Sequence, residues 1–141
     1  MASSALDRLR SLLRGAVAAC ALGFIAAVAH AFAALALAGP LTLGAEALAH
    51  GEVPQRAVAI GEQGLLQAVI VVAVCLLARL LIELPRSVGA GAGLFAIGLP
   101  ALVLAVGEGV ESLGPGPLLA VRAAAALLCA IAGWAALRKR R

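Results

Sequence analysis

A chain of 141 residues that is 64% hydrophobic and 13% charged, with a mean hydropathy of +1.10, lacks the polar surface to coat a soluble globule. Its formal charge of +4 is carried at the borders of apolar blocks. It does not form a basic stripe interleaved with aromatic side chains, which argues against a nucleic-acid interface. The sequence therefore describes one domain built for lipid.

The N-terminal segment carries Asp7, Arg8, Arg10 and Arg14 and runs into the first apolar block, residues 16–38. At that length the block exceeds the about 7–15 apolar residues of a signal peptide and suits a spanning helix. Ala36-Leu37-Ala38 has the form of a signal-peptidase site, which is the competing reading. Gly15, Ala19, Gly23 and Ala27 form a ridge of small residues at four-residue spacing, the pattern that lets helix backbones approach in a membrane. His30 shares a face with Gly23, Ala26, Ala27 and Ala34, so it is expected to point inward and hydrogen-bond between helices. A haem would need a second axial histidine from a facing span, and His50, the other histidine, lies in a loop. No cofactor is expected.

Gly39-Pro40 is expected to end the first helix. Beyond it Leu41, Ala45, Leu48 and Ala49 recur at helical spacing, which predicts a short surface helix in the first outer loop. Glu46, His50 and Glu52 lie close together there, but one histidine and two carboxylates in a loop do not amount to a metal site. Val53-Pro54 restarts the chain, a point from which the second helix can begin outside the membrane and run to Leu84, with the span itself read as 65–84. Gln67 is expected near its outer end as an interfacial hydrogen bonder, and Arg79 with Glu83 as an i,i+4 ion pair near its inner end.

The turn at Pro85-Arg86-Ser87 predicts that the second and third spans are antiparallel neighbours. The third span, 88–107, carries a second ridge that begins Gly89, Gly93, and has Pro100 midway, where a kink is expected. Gly114 to Pro117 turns the chain into the fourth span, 118–137, where Ala125, Cys129 and Gly133 repeat the small-residue spacing. Arg122, one turn inside that span, is expected to clamp onto Glu108 and Glu111. The cysteines, Cys20, Cys75 and Cys129, all fall inside apolar blocks without CxxC spacing and read as small buried hydrophobes.

The arginines orient the bundle. Arg8, Arg10, Arg14, Arg79, Arg86 and the tail Arg138, Lys139, Arg140, Arg141 fall on one side, and only Arg56 and Arg122 on the other. Positively charged short segments stay cytoplasmic, so both termini are expected inside, in a bacterial inner membrane, with the tail on anionic lipid headgroups.

Known four-span families need residues this chain lacks: paired outer cysteines in the quinone-coupled disulfide oxidases, vicinal cysteines in the first helix of mercury carriers, an acid in the first span of small multidrug exporters. In size, both-ends-in topology and basic tail the chain is similar to the phosphate-starvation-inducible membrane proteins. That likeness of shape carries no site residues over. The expected fold is an all-α integral membrane four-helix bundle. The first functional expectation is a non-catalytic accessory, structural or regulatory component of a homo-oligomer or larger membrane complex. The alternative is a small oligomeric transporter or channel with His30, Gln67, Arg122 and Pro100 along its path.

Overall fold

The computed structural model describes residues 2–138, and Lys139, Arg140 and Arg141 of the basic tail lie outside the described residues. The described chain is helical: α1 Ala2–Ala36, α2 Ala38–Leu48, α3 Glu52–Leu81, α4 Arg86–Glu108, a 3₁₀ turn Val110–Leu113, and α5 Gly116–Ala136. α1, α3, α4 and α5 are each long and apolar enough to cross a membrane. Their outer faces are oily: Leu80 is 81% exposed and Leu81 85%, so the large apolar side chains largely point away from the bundle.

The spanning helices begin earlier than the apolar blocks do. α1 starts at Ala2, ahead of its charged segment, and α3 starts at Glu52, some way before residue 65. Charged and amide side chains are tolerated by a helix as readily as apolar ones, so hydropathy marks where a helix could enter lipid and not where it begins. The first break also shifts. α1 stops at Ala36, Leu37 caps α2, and Pro40 sits in the first turn of α2, where its missing N–H leaves no gap in the ladder. The expected surface helix is therefore present as α2, lying against α3.

In cross-section the helices follow the order α1, α3, α5, α4, each packed on its two neighbours. α3 and α4, joined by a short turn, lie across the diagonal and barely touch. This corrects the expectation that they are packed neighbours. The reason is in the small residues: α4 spends one face on α5 and another on α1, leaving none for α3. A Cβ at Gly89 or Gly93 would collide with the backbone of Gly133 or Cys129 on α5. On the other side a Cβ at Gly23 of α1 would stand 2.8 Å from the Ala92 carbonyl oxygen and from Phe95, and one at Gly91 would stand 3.0 Å from Ala19. Gly15 is looser, with Val88 at 3.9 Å. Both ridges read from the sequence are therefore helix seams.

The core lies toward the end that holds both termini and the α3–α4 turn, here the termini end. It is made of Ala26, Val71, Cys75, Val88, Ala92 and Ala96, with Ala136 and Leu137. The opposite, loop end carries α2 and the 3₁₀ turn.

At the termini end Arg79 Nη1 donates to the Ala136 carbonyl at 3.4 Å, satisfying one of the orphan acceptors at the C-terminus of α5. Glu83 does not pair with it. α3 ends at Leu81 and Ile82 is extended, so the i,i+4 geometry is lost, and Glu83 is exposed. Arg86 stacks over Trp134 at 4.8 Å from the ring centroid.

If the α4–α5 seam holds the bundle, Gly93→Val should lower the melting temperature, with overpacking costing about 1–3 kcal/mol. Gly98→Ala, whose added Cβ meets nothing within 4 Å, should not. A thiol-reactive dye reads the transition, because Cys75 and Cys129 are buried and Cys20 is exposed. Equal melting of the two variants would count against the seam.

Candidate functional site

Because α3 and α4 stay apart, a cavity of about 490 Å³ opens between them in the half of the bundle toward the loop end. α3 supplies Arg56, Gln63 and Gln67 at spacings of seven and four, which place them on one side of the helix. α4 supplies Pro100 on the facing wall, α1 supplies His30, and α5 supplies Arg122. The remaining lining is small or apolar, including Ile60, Ile97 and Leu104.

Contacts between the helices set the depths of the polar groups. Gly89 on Gly133 and Gly93 on Cys129 put Pro100 opposite Arg122, whereas Gly64 on Ala125 and Val71 beside Gly133 put Gln67 near Cys129, about seven residues or 10 Å nearer the termini end. His30 stands seven residues, about 10 Å, above Gly23, whose partners are Ala92 and Phe95. That brings it to the level of Pro100. Gln67 is not at a helix end. It is the sixteenth of thirty residues in α3 and only 2% exposed.

The polar groups here are poorly paid off by the protein. The Gln67 amide nitrogen and His30 Nε2 are buried without a hydrogen-bond partner. The imidazole lies against the backbone of Gln63. Arg122 is held by one bond, Nε donating to the Leu113 carbonyl at 3.2 Å. This replaces the expected clamp onto Glu108 and Glu111, both of which are exposed. The carbonyl is in place because Gly109 (φ +90°) and Gly114 (φ +92°) bracket the 3₁₀ turn in a conformation that side chains disfavour. Ser112 Oγ donates to the Gly109 carbonyl at 2.6 Å, which holds the turn against the end of α4, with the Leu104 carbonyl farther off at 3.4 Å. Pro100 has no N–H, so the Ala96 carbonyl on the same wall lacks its usual helical donor.

No carboxylate lines the cavity. Glu62, next to Gln63 in sequence, faces α2 at Gly44 instead, and its Oε2 is buried without a partner. Among the described residues no three His, Cys, Asp or Glu side chains gather as a metal ion would require.

The structure therefore brings together His30, Gln67, Pro100 and Arg122, and leaves Arg79 and Glu83 at the far end. Arg56 and Gln63 belong to the site as well. Their signal was the stripe of Arg56, Gln63 and Gln67, which is visible only once the helix is run back to Glu52. No protein-family model, curated protein or solved structure matches the chain.

A buried amide without a partner costs about 1–3 kcal/mol. Gln67→Leu should accordingly leave the melting temperature unchanged or raise it. A fall of several degrees in the same thiol-dye assay would show that Gln67 has a structural partner.

Proposed function

We propose that the chain is a four-span membrane protein whose cavity between α3 and α4 takes up a small solute, and that it works as a small transporter. The observation that carries this reading is the convergence of His30, Gln67, Pro100 and Arg122 on one cavity. Polar groups inside a spanning region are expensive and are kept where a substrate uses them. A purely structural accessory component would spend these side chains on bonds between helices. Arg79 does so with Ala136, whereas His30 Nε2 and the Gln67 amide nitrogen do not.

The cavity volume falls within the about 300–1,000 Å³ typical of small-molecule sites. The cavity runs along α3 from Gln67 toward Arg56 and stops above the small-residue core, so it is a vestibule with one closed end. With the arginine-rich termini end in the cytoplasm, the vestibule opens outward.

Impermeant labelling tests both the cavity and its direction. In a background with Cys20, Cys75 and Cys129 replaced by Ala, single cysteines are placed at Ala101, on the cavity wall, and at Ala92, which is 1% exposed in the core. A membrane-impermeant maleimide added to intact cells should label Ala101→Cys and spare Ala92→Cys. Labelling of Ala101→Cys only after the cells are opened would reverse the orientation. Failure to label it under either condition would overturn the solute site.

A further inference from the structure

We propose that the cavity binds a small amphiphilic organic anion, its oxyanion head on Arg122 and His30 and its apolar body against Ile60, Ile97 and Leu104. This rests on the reading of the cavity as a solute site and adds the charge and shape of the solute.

The cavity is lined by two guanidinium groups, Arg56 and Arg122, and by no carboxylate. Neither arginine has an ion-pair partner among the described residues. The acids at the loop end, Glu46, Glu52, Glu108 and Glu111, are exposed and lie off the lining, where solvent and salt screen them. Glu62, the buried one, faces α2. A cation in this cavity would meet the half-buried Arg122 guanidinium inside and Arg56 at the exposed end. An anion would meet the opposite sign.

Donor geometry narrows the class. Arg122 spends Nε on Leu113, which fixes the plane of the guanidinium and leaves both terminal nitrogens free. That end of the group is the fork that grips a carboxylate or phosphate with two parallel bonds, something a point charge cannot do. The Gln67 amide nitrogen, in a side chain 2% exposed, is a second unspent donor, and His30 Nε2 is a third unspent position. Arg122 and His30 lie at one depth, with Gln67 about 10 Å nearer the termini end and Arg56, eleven residues or about 16 Å from Gln67 along α3, nearer the loop end. Arg56 stands at the entrance and steers ligands inward, outside the inner group.

Size and lining complete the picture. A halide would leave most of the 490 Å³ unfilled and would not contact the apolar walls. A carboxylate carrying a ring or short chain fills both parts. A lipid phosphate presents the same oxyanion chemistry, so the test separates the two sources.

The test uses the cysteine at Ala101 in the same background, in nanodiscs of phosphatidylcholine. It compares a negatively charged sulfonatoethyl methanethiosulfonate with a positively charged trimethylammonioethyl one, each normalised to its rate with free mercaptoethanol. The anionic reagent should react about tenfold faster, the scale of electrostatic focusing in a charged cleft. Arg56→Gln, at an exposed residue with no structural bond, should reduce that preference, and so should Arg122→Gln if its melting temperature shows it folded. Benzoate should slow the labelling, and Arg122→Lys should keep the charge preference while losing this protection, because lysine lacks the fork. Protection by benzoate in phosphatidylcholine assigns a soluble anion. Protection only when phosphatidylglycerol is added assigns a lipid headgroup. Equal normalised rates for the two reagents, or faster reaction of the cation, would overturn the anion while leaving the solute site standing. No reaction with either reagent would overturn the solute site itself.

Discussion

The close approach of α4 to α5 is the constraint on which the rest of the bundle depends. Gly89 and Gly93 lie directly against the backbone at Gly133 and Cys129, with no room for a side chain between them. In lipid, apolar burial does not draw helices together, so van der Waals contact between backbones and small side chains carries the association. The opposite side of α4 does the same with α1 through Gly23, Gly91 and Ala19. With two faces committed, α4 has none for α3, although Pro85 and its neighbours connect the two directly. α3 packs instead on α5, α1 and α2. The diagonal gap follows, and small residues fill it only in the half where Ala92, Ala96, Val71 and Cys75 meet.

That division of the bundle sets the energetics of the site. In the packed half, polar groups are few and settled: Arg79 caps the end of α5. In the open half, two arginines, a histidine and two glutamines surround a space that the protein does not fill with counter-charges. Arranging them this way costs stability, which a bundle held mainly by contact between small residues has little of to spare. The arrangement is consistent with a site kept for a ligand and not for the fold.

Much of this was legible in the sequence, and the reasons for the misses are physical. Four apolar blocks gave four helices long and apolar enough to span a membrane, and small-residue spacing marked faces of α1, α4 and α5 that meet closely, because both signals are local and periodic. The surface helix α2 was readable for the same reason. The early start of α3 was legible in Val53-Pro54, a restart with proline in the first turn, and the helix does begin at Glu52. Taking only the apolar block as the span left the stripe of Arg56, Gln63 and Gln67 unremarked and set Gln67 near the outer end. The Arg79–Glu83 pair failed because α3 stops at Leu81, two residues before the acid. The Arg122 clamp failed in its partner, not in its existence. A backbone carbonyl presented by a glycine-bracketed turn leaves no trace in the residue types that a charge-matching argument inspects. The diagonal placement of α3 and α4 is a question of which contacts win, and a short connection cannot decide it.

The closed end of the cavity bears on the difference between holding a solute and moving one. A solute beside Gln67 and Arg122 would have to pass the layer of Val71, Ala92 and Cys129 to leave by the termini end. That layer is bounded by the α4–α5 and α1–α4 seams, where backbones meet with few interlocking side chains. Seams of this kind resist separation, since every contact is lost together, but they offer little resistance to sliding along their length. Pro100 lies just above them, where α4 lacks one backbone bond to Ala96 and bends at lower cost than an unbroken helix. The part of α4 able to yield is therefore the part that carries the cavity wall, while the glycines below it keep the helix against its neighbours. A transport step built on this fold would shift the upper half of α4 over a seam that never opens fully, and the residues gathered at the level of Pro100 would be the first to feel it.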